Sequence, residues 1–154
     1  MPETIDPRVC VSEIEIVFKP AIPPSRRFQI QSSQDIYDLL IAFWESDTIQ
    51  LIEQFKVLLM NRNNRVLGIY HLASGGITGT LADIRLAFVA ALKAGAVTIA
   101  IAHNHPSGNL LPSIADQELT MKFKKVGELL EIVLIDHLII SSEGYFSFAD
   151  RGAL

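Results

Sequence analysis

Two of the chain's four histidines, His103 and His105, flank one asparagine at the end of the apolar run Val97 to Ala102, and a carboxylate, Asp116, follows after a loop containing Pro106, Gly108 and Pro112. In a strand, side chains at i and i+2 point to the same side, so both imidazoles face one space. Pro106 favours extended backbone at His105 and helps to end the strand there. Ser113 then starts a helix with Asp116 in its first turn, so a third ligand can swing back toward the pair. Two neutral imidazoles and one carboxylate are a usual catalytic zinc set, leaving a fourth position for a water whose pKa falls toward ~7. Cys10 is the only cysteine, so no thiolate cluster competes and no internal disulfide can form. Ser113-x-x-Asp116 also satisfies a capping-box helix start that needs no metal, and the two readings are compatible.

Other polar residues carry less. Asn104, between the two histidines, points away from them by strand alternation. His137 follows Asp136, and Asp-His pairs can orient a catalytic base. Neighbours on a strand face opposite ways, however, which favours a buried, hydrogen-bonded histidine there. His71 follows Tyr70 near a strand end and carries little signal. The loop Ser74-Gly75-Gly76-Ile77-Thr78-Gly79 is glycine-rich but lacks the lysine and spacing of a phosphate cradle. It borders a cleft or merely turns.

The segment from His103 to Asp116 resembles the JAMM signature of the JAB/MPN metalloproteases: His-x-His, seven residues, Ser, two residues, Asp, here His103, His105, Ser113 and Asp116. His105-Pro106-Ser107-Gly108, Pro112-Ser113 and Asp136-His137-Leu138-Ile139-Ile140 are similar to the RadC branch of that superfamily. The resemblance covers Glu53 to Leu154. It implies a cytidine-deaminase-like α/β domain, zinc held by His103, His105 and Asp116, and cleavage of a peptide or isopeptide amide by metal-activated water. The family's upstream glutamate matches Glu53, in Glu53-Gln54-Phe55-Lys56-Val57-Leu58-Leu59. Such a carboxylate accepts a proton from the attacking water and returns it to the leaving amine. Ser113 would by resemblance stabilise the oxyanion, a task favoured at a positive helix N-terminus. RadC proteins usually carry a helix-hairpin-helix-like region ahead of this domain. The stretch before Glu53 offers one strand and one helix, too little for that module, which weakens any inherited link to DNA.

The elements that must position these residues follow from periodicity. Glu13 to Phe18 alternates polar and apolar as a half-buried strand does, and Pro20, Pro23 and Pro24 break it. Ser33 reads as the N-cap of a helix through Trp44, with Ile36, Leu39, Leu40 and Phe43 at helical spacing and Asp35 in its first turn. The runs Phe55 to Met60 and Val66 to Leu72 around Asn61-Arg62-Asn63-Asn64 read as a hairpin. Asp83 caps a helix carrying Leu86, Val89, Ala90 and Lys93 that ends near Gly95. A helix spans Ser113 to about Leu130, with Leu119, Phe123, Val126 and Leu130 at its apolar spacing. Ile132 to Ile140 is a strand, and a turn at Glu143-Gly144 leads to a short partner, Tyr145 to Phe148. Interleaved strands and helices imply an α/β class with a mixed β-sheet flanked by helices. The chain divides into an N-terminal extended segment, residues 1–32, and a domain over 33–154, in one globular unit.

Bulk properties narrow the function classes. The chain has 154 residues, 49% hydrophobic and 19% charged, enough for one core-rich domain. The mean hydropathy of +0.32 does not imply a membrane. The longest apolar stretch, Leu86 to Ala102, is interrupted by Lys93 and Gly95 and falls short of the usual ~20 residues. Met1 to Cys10 lacks the apolar core of a signal peptide, so the reading is of a soluble, cytoplasmic protein. A formal charge of −4 with scattered basic residues disfavours nucleic acid, which normally needs a dense basic footprint. The free edge of the Glu13–Phe18 strand could pair with a second copy. The sequence thus points to a zinc hydrolase of unnamed substrate, with a DNA-associated RadC-like accessory protein and a catalytically silent MPN-like scaffold as alternatives.

Overall fold

The structure, a computed structural model, describes residues 12–15, 17–75 and 82–154. Among them are strands β1 (Gln54–Met60), β2 (Val66–Ser74), β3 (Thr98–Asn104), β4 (Val133–Ser141) and β5 (Gly144–Ser147), and helices α1 (Ser33–Ala42), α2 (Ile84–Ala94) and α3 (Ile114–Leu129). The strands form one sheet in the order β2-β1-β3-β4-β5. The β1/β2, β1/β3 and β4/β5 pairs are antiparallel, while β3 and β4 run parallel across the crossover helix α3. This is the mixed, helix-flanked α/β sheet expected from the interleaved elements.

Both faces of the sheet are covered, so the central strands β1 and β3 are buried along their whole length instead of alternating buried and exposed residues. On one face Phe55, Val57, Ile99 and Ile101 pack with Phe88 of α2 and Phe123 of α3. On the other, Leu58, Met60, Ala100, Ala102, Leu138 and Ile140 pack with Ile36 and Leu40 of α1 and with Trp44. A β-bulge interrupts β4: Ile99 pairs with Leu134, but Ala100 pairs with Asp136. The extra residue shifts the alternation by one.

The helix ends follow local chemistry. Asp83 caps α2 through Arg85 N–H, and Gly95 ends it in the left-handed region at φ 67°. That position suits glycine because it has no Cβ to clash. In α2 the buried residues are Ala87, Phe88 and Ala91, while Leu86, Val89 and Leu92 are exposed. Gly127 of α3 lies so close to the entry of β4 that a Cβ would stand 2.3 Å from the carbonyl oxygen of Ile132. No helix among the described residues is long and apolar enough to cross a membrane.

Three expectations need correction or fall outside this description. The described residues of Glu13–Phe18 form no strand. Ile14 is 89% exposed, and Val17 and Phe18 border a groove between β2 and α2. Alternation alone supplies no partner for the backbone hydrogen bonds, and the free edge expected of that strand disappears with it. The N-cap of α1 is Ser32, whose side chain accepts from Asp35 N–H in a capping box, while the Ser33 hydroxyl donates to Asp150. Residues 76–81, most of the glycine-rich loop, lie outside the described residues.

Candidate metal centre

The centre forms where β3 ends and α3 begins, beside the start of β1. In the antiparallel register Phe55 pairs with His103, so continuing by two residues brings Glu53 opposite His105. That end of the sheet collects residues distant in sequence. His103 belongs to the α2/α3 face, like Ile99 and Ile101 before it, and is buried. His105 lies just past the strand, held by its N–H to the carbonyl of Ile140.

Asp116 is at N3 of α3, and the sequence builds it into the cap. The Ser113 hydroxyl oxygen accepts from Asp116 N–H at 3.1 Å, and Asp116 Oδ2 accepts from Ser113 N–H at 2.7 Å. The cap geometry is therefore compatible with a ligand role for Asp116. With Oδ2 held by the cap, Oδ1 stands 3.1 Å from His103 Nε2, and Oδ2 itself is 3.6 Å from His105 Nε2. The two Nε2 atoms are 3.0 Å apart.

These spacings fit a divalent cation. With ligand bonds of 2.0–2.1 Å, neighbouring donors in a tetrahedral zinc site are about 3.3 Å apart. His105 Nδ1 lies 2.5 Å from the carbonyl oxygen of Asn109. A carbonyl only accepts, so the ring hydrogen is on Nδ1 and Nε2 offers its lone pair to the centre. His103, His105 and Asp116 could hold a metal ion, with one donor atom each lying within 4.8 Å of the others.

Electrostatics agree with this arrangement. The Asp116 carboxylate beside it raises the pKa of His105. Burial pushes the Asp116 carboxyl up, but hydrogen bonds with His103 and His105 outweigh it and hold the group well below the usual range. A centre that concentrates negative charge against two imidazoles attracts a cation, whether proton or metal.

Glu53 immediately precedes β1 and, with His103 and Asp116, lines a cleft of about 220 Å³. Phe55 and Leu119 contribute apolar walls, and Glu118 and Lys122 add charge. The Glu53 carboxylate is near enough to His105 to help raise its pKa. A second cleft, of about 180 Å³, lies on the His105 side and is lined by Ser107, Ser141 and Glu143 among others.

Three residues that the spacing of the motif did not place are connected to this centre. Asn104 points to the opposite face as expected, yet it is fully buried and braces the approach to β1. Its Oδ1 accepts from Gln54 N–H at 2.7 Å, and its Nδ2 donates to the carbonyls of Ile49 at 2.7 Å and Ile52 at 2.9 Å. Both chain neighbours of Glu53 are thereby tied to the strand carrying the histidines. His137 is buried and hydrogen-bonded as expected, with Nε2 at 2.9 Å from His103 Nδ1. Burial lowers its pKa well below the ordinary value. Thr120, one helical turn after Asp116, stands 2.6 Å from His137 Nδ1. Asp136 accepts from His137 N–H, Ser147 and Ala149 N–H and forms no dyad with the His137 ring. His71 is engaged elsewhere, with Lys56 and Ser74.

Comparison with known proteins places this geometry in context. The family model described as RadC-like JAB domain matches residues 30–153. A UPF0758 protein of Flavobacterium johnsoniae is 47% identical over 100 residues, 65% of this chain and 44% of that protein. One from Porphyromonas gingivalis is 42% identical over 130 residues, 84% of this chain and 56% of its own length. Another, from Symbiobacterium thermophilum, is 31% identical over 149 residues, 96% of this chain and 62% of its own. The chain spans about half the length of the curated relatives it matches.

Proposed function

The chain belongs to the RadC-like JAB domain family, and from that premise we propose that it is a zinc-dependent hydrolase cleaving a peptide or isopeptide amide bond. The observation that carries this reading is the convergence of His103 Nε2, His105 Nε2 and Asp116 on one point beside a cleft that also contains Glu53. When bound, zinc would supply Lewis acidity, polarising the scissile carbonyl and lowering the pKa of the attacking water. His103, His105 and Asp116 would hold it, and the chain's other residues move the protons.

Glu53 accepts a proton from the water as the oxygen attacks the carbonyl carbon. It returns that proton to the amide nitrogen as the carbon–nitrogen bond breaks, so the products are a carboxylic acid and an amine. Ser113 caps α3 with an oxygen lone pair, which leaves its hydrogen for donation to the carbonyl oxygen as negative charge develops there. The N-terminal end of α3 adds the positive end of a helix dipole. The cleft at Glu53, His103 and Asp116 and the one at His105 would receive the substrate peptide.

The test compares zinc-loaded parent and Glu53→Gln protein on fluorogenic peptide and isopeptide libraries. Turnover by the parent, with a fall of about 10²–10⁴-fold in the variant at unchanged zinc content, supports the proposal. Zinc-loaded parent that cleaves neither library, or equal turnover in both proteins, overturns it.

A further inference from the structure

On the assignment of His103 as a metal ligand, we propose that Thr120 and His137 are positioning residues: a buried hydrogen-bond wire through them fixes the ring tautomer of His103 so that Nε2 presents a bare lone pair to the metal. The direction of the wire follows from counting hydrogens. Thr120 Oγ1 lies 2.6 Å from the backbone carbonyl oxygen of Asp116 and 2.6 Å from His137 Nδ1. A hydroxyl has one hydrogen and a carbonyl only accepts, so that hydrogen goes to Asp116 O. Oγ1 therefore accepts from His137, whose ring hydrogen is on Nδ1.

His137 is 0% exposed, a setting that favours the neutral ring with one hydrogen. Its Nε2 is then an acceptor, and the group facing it at 2.9 Å, His103 Nδ1, is the donor. With its hydrogen on Nδ1, His103 turns an unprotonated Nε2 toward His105 and Asp116. The opposite direction would put a hydrogen on His103 Nε2, inside the centre, where it would exclude a cation.

The wire starts at the backbone oxygen of Asp116 and ends beside the carboxylate of the same residue. It depends on two local features. Thr120 is four residues after Asp116 on α3, so its hydroxyl reaches back to the carbonyl one turn earlier. The bulge in β4 re-aims the strand after Leu134. Leu134 packs on the α2/α3 face, and unbroken alternation would send Asp136 there and His137 to the α1 face. With the bulge, His137 pairs in register with Ile101 and shares the face of His103.

The tautomer of His103 is read from long-range proton–nitrogen spectra of metal-free protein in mildly alkaline buffer, and zinc affinity from competition with a chromophoric chelator. Parent, Thr120→Val and Thr120→Ser proteins are compared. The valine keeps the shape of threonine without its hydroxyl, and the serine restores the hydroxyl. The expected result is an Nδ1–H His103 in the parent, and mixed tautomers with zinc bound about 10–100-fold more weakly in the valine variant. The serine variant returns to within about threefold of the parent, as a wire made only of the hydroxyl predicts. An Nε2–H His103 in the parent overturns the wire without need of any variant. So does a valine variant with the parent's tautomer and affinity. Parent protein that shows the Nδ1–H tautomer but binds no zinc refutes the metal centre and, with it, the positioning role.

Discussion

Asp116→Ala separates the two duties of that carboxylate, because each leaves its own mark on thermal stability. Without metal, the substitution removes the acceptor of Ser113 N–H but leaves the Ser113 hydroxyl on the N–H of residue 116. Losing half of a capping box costs about 0.5–1 kcal/mol. For a domain of this size each kcal/mol moves Tm by about 2–4 °C, so loss of the cap alone places the metal-free variant about 1–4 °C below the parent, and loss of the contacts with His103 and His105 lowers it further. Zinc at about a thousand times its Kd stabilises the parent by about 4 kcal/mol, a rise of about 8–16 °C. Losing one of three ligands weakens binding by about a thousandfold, a decade beyond what outer hydrogen-bond partners cost. At the same free zinc the variant then gains only about 0.4 kcal/mol, or about 1–2 °C. Calorimetry with and without zinc, and after a chelator, measures all four values. A parent Tm indifferent to zinc, or a variant keeping more than half of the parent's rise, refutes the reasoning.

Further expectations are as concrete. In metal-free protein the raised pKa of His105 adds stability that is complete below the ordinary value of 6.5 and is lost as pH climbs through the folded value. The lowered pKa of Asp116 adds stability present above 3.8 and lost as pH falls through its folded value. Urea titrations across pH therefore show metal-free stability falling as pH rises above 6.5 and zinc restoring it, and a profile that stays flat from there upward contradicts the charge arrangement. Gly127→Ala places a Cβ 2.3 Å from the Ile132 carbonyl oxygen. Overpacking of about 1–3 kcal/mol opposes a helix-propensity gain of about 1 kcal/mol, so a variant more stable than the parent in urea would overturn that account. Asn104→Asp keeps the acceptor for Gln54 N–H but turns a carboxylate toward the carbonyls of Ile49 and Ile52. It should cost about 2–4 kcal/mol from unsatisfied buried groups, and a chemical-denaturation loss under 1 kcal/mol would show that Asn104 is not a brace.

What the sequence disclosed and what it hid divide along physical lines. The cap at Asp83 and the stop at Gly95 were legible because each depends on chemistry within one turn of helix. The shared face of His103 and His105 and the return of Asp116 were legible because strand alternation and a helix start are local rules. Glu53 was found only by resemblance, since its approach to His105 depends on β1 pairing with β3. The side reached by His137 was hidden for a sharper reason: a bulge changes the parity of every later residue, and nothing in Leu134-Ile135-Asp136 announces one. A signal for the wire existed in Thr120, a hydroxyl four residues beyond the candidate ligand Asp116 and on the buried side of α3. The Glu13–Phe18 alternation misled because a pattern of faces is not a pairing partner.

The position of β1 has a consequence for the order in which a newly made chain acquires its chemistry. His103, His105 and Asp116 are neighbours along the chain and need only β3, one loop and the first turn of α3 to meet. Glu53 joins them only when β1 pairs with β3, and Asn104 secures it there through Ile52 and Gln54. A chain in which β1 and β3 are not yet paired could therefore hold a cation while the carboxylate proposed to move protons is still elsewhere. On the proposed function such a chain would be loaded but inert, and the pairing of β1 with β3 would act as its safety catch.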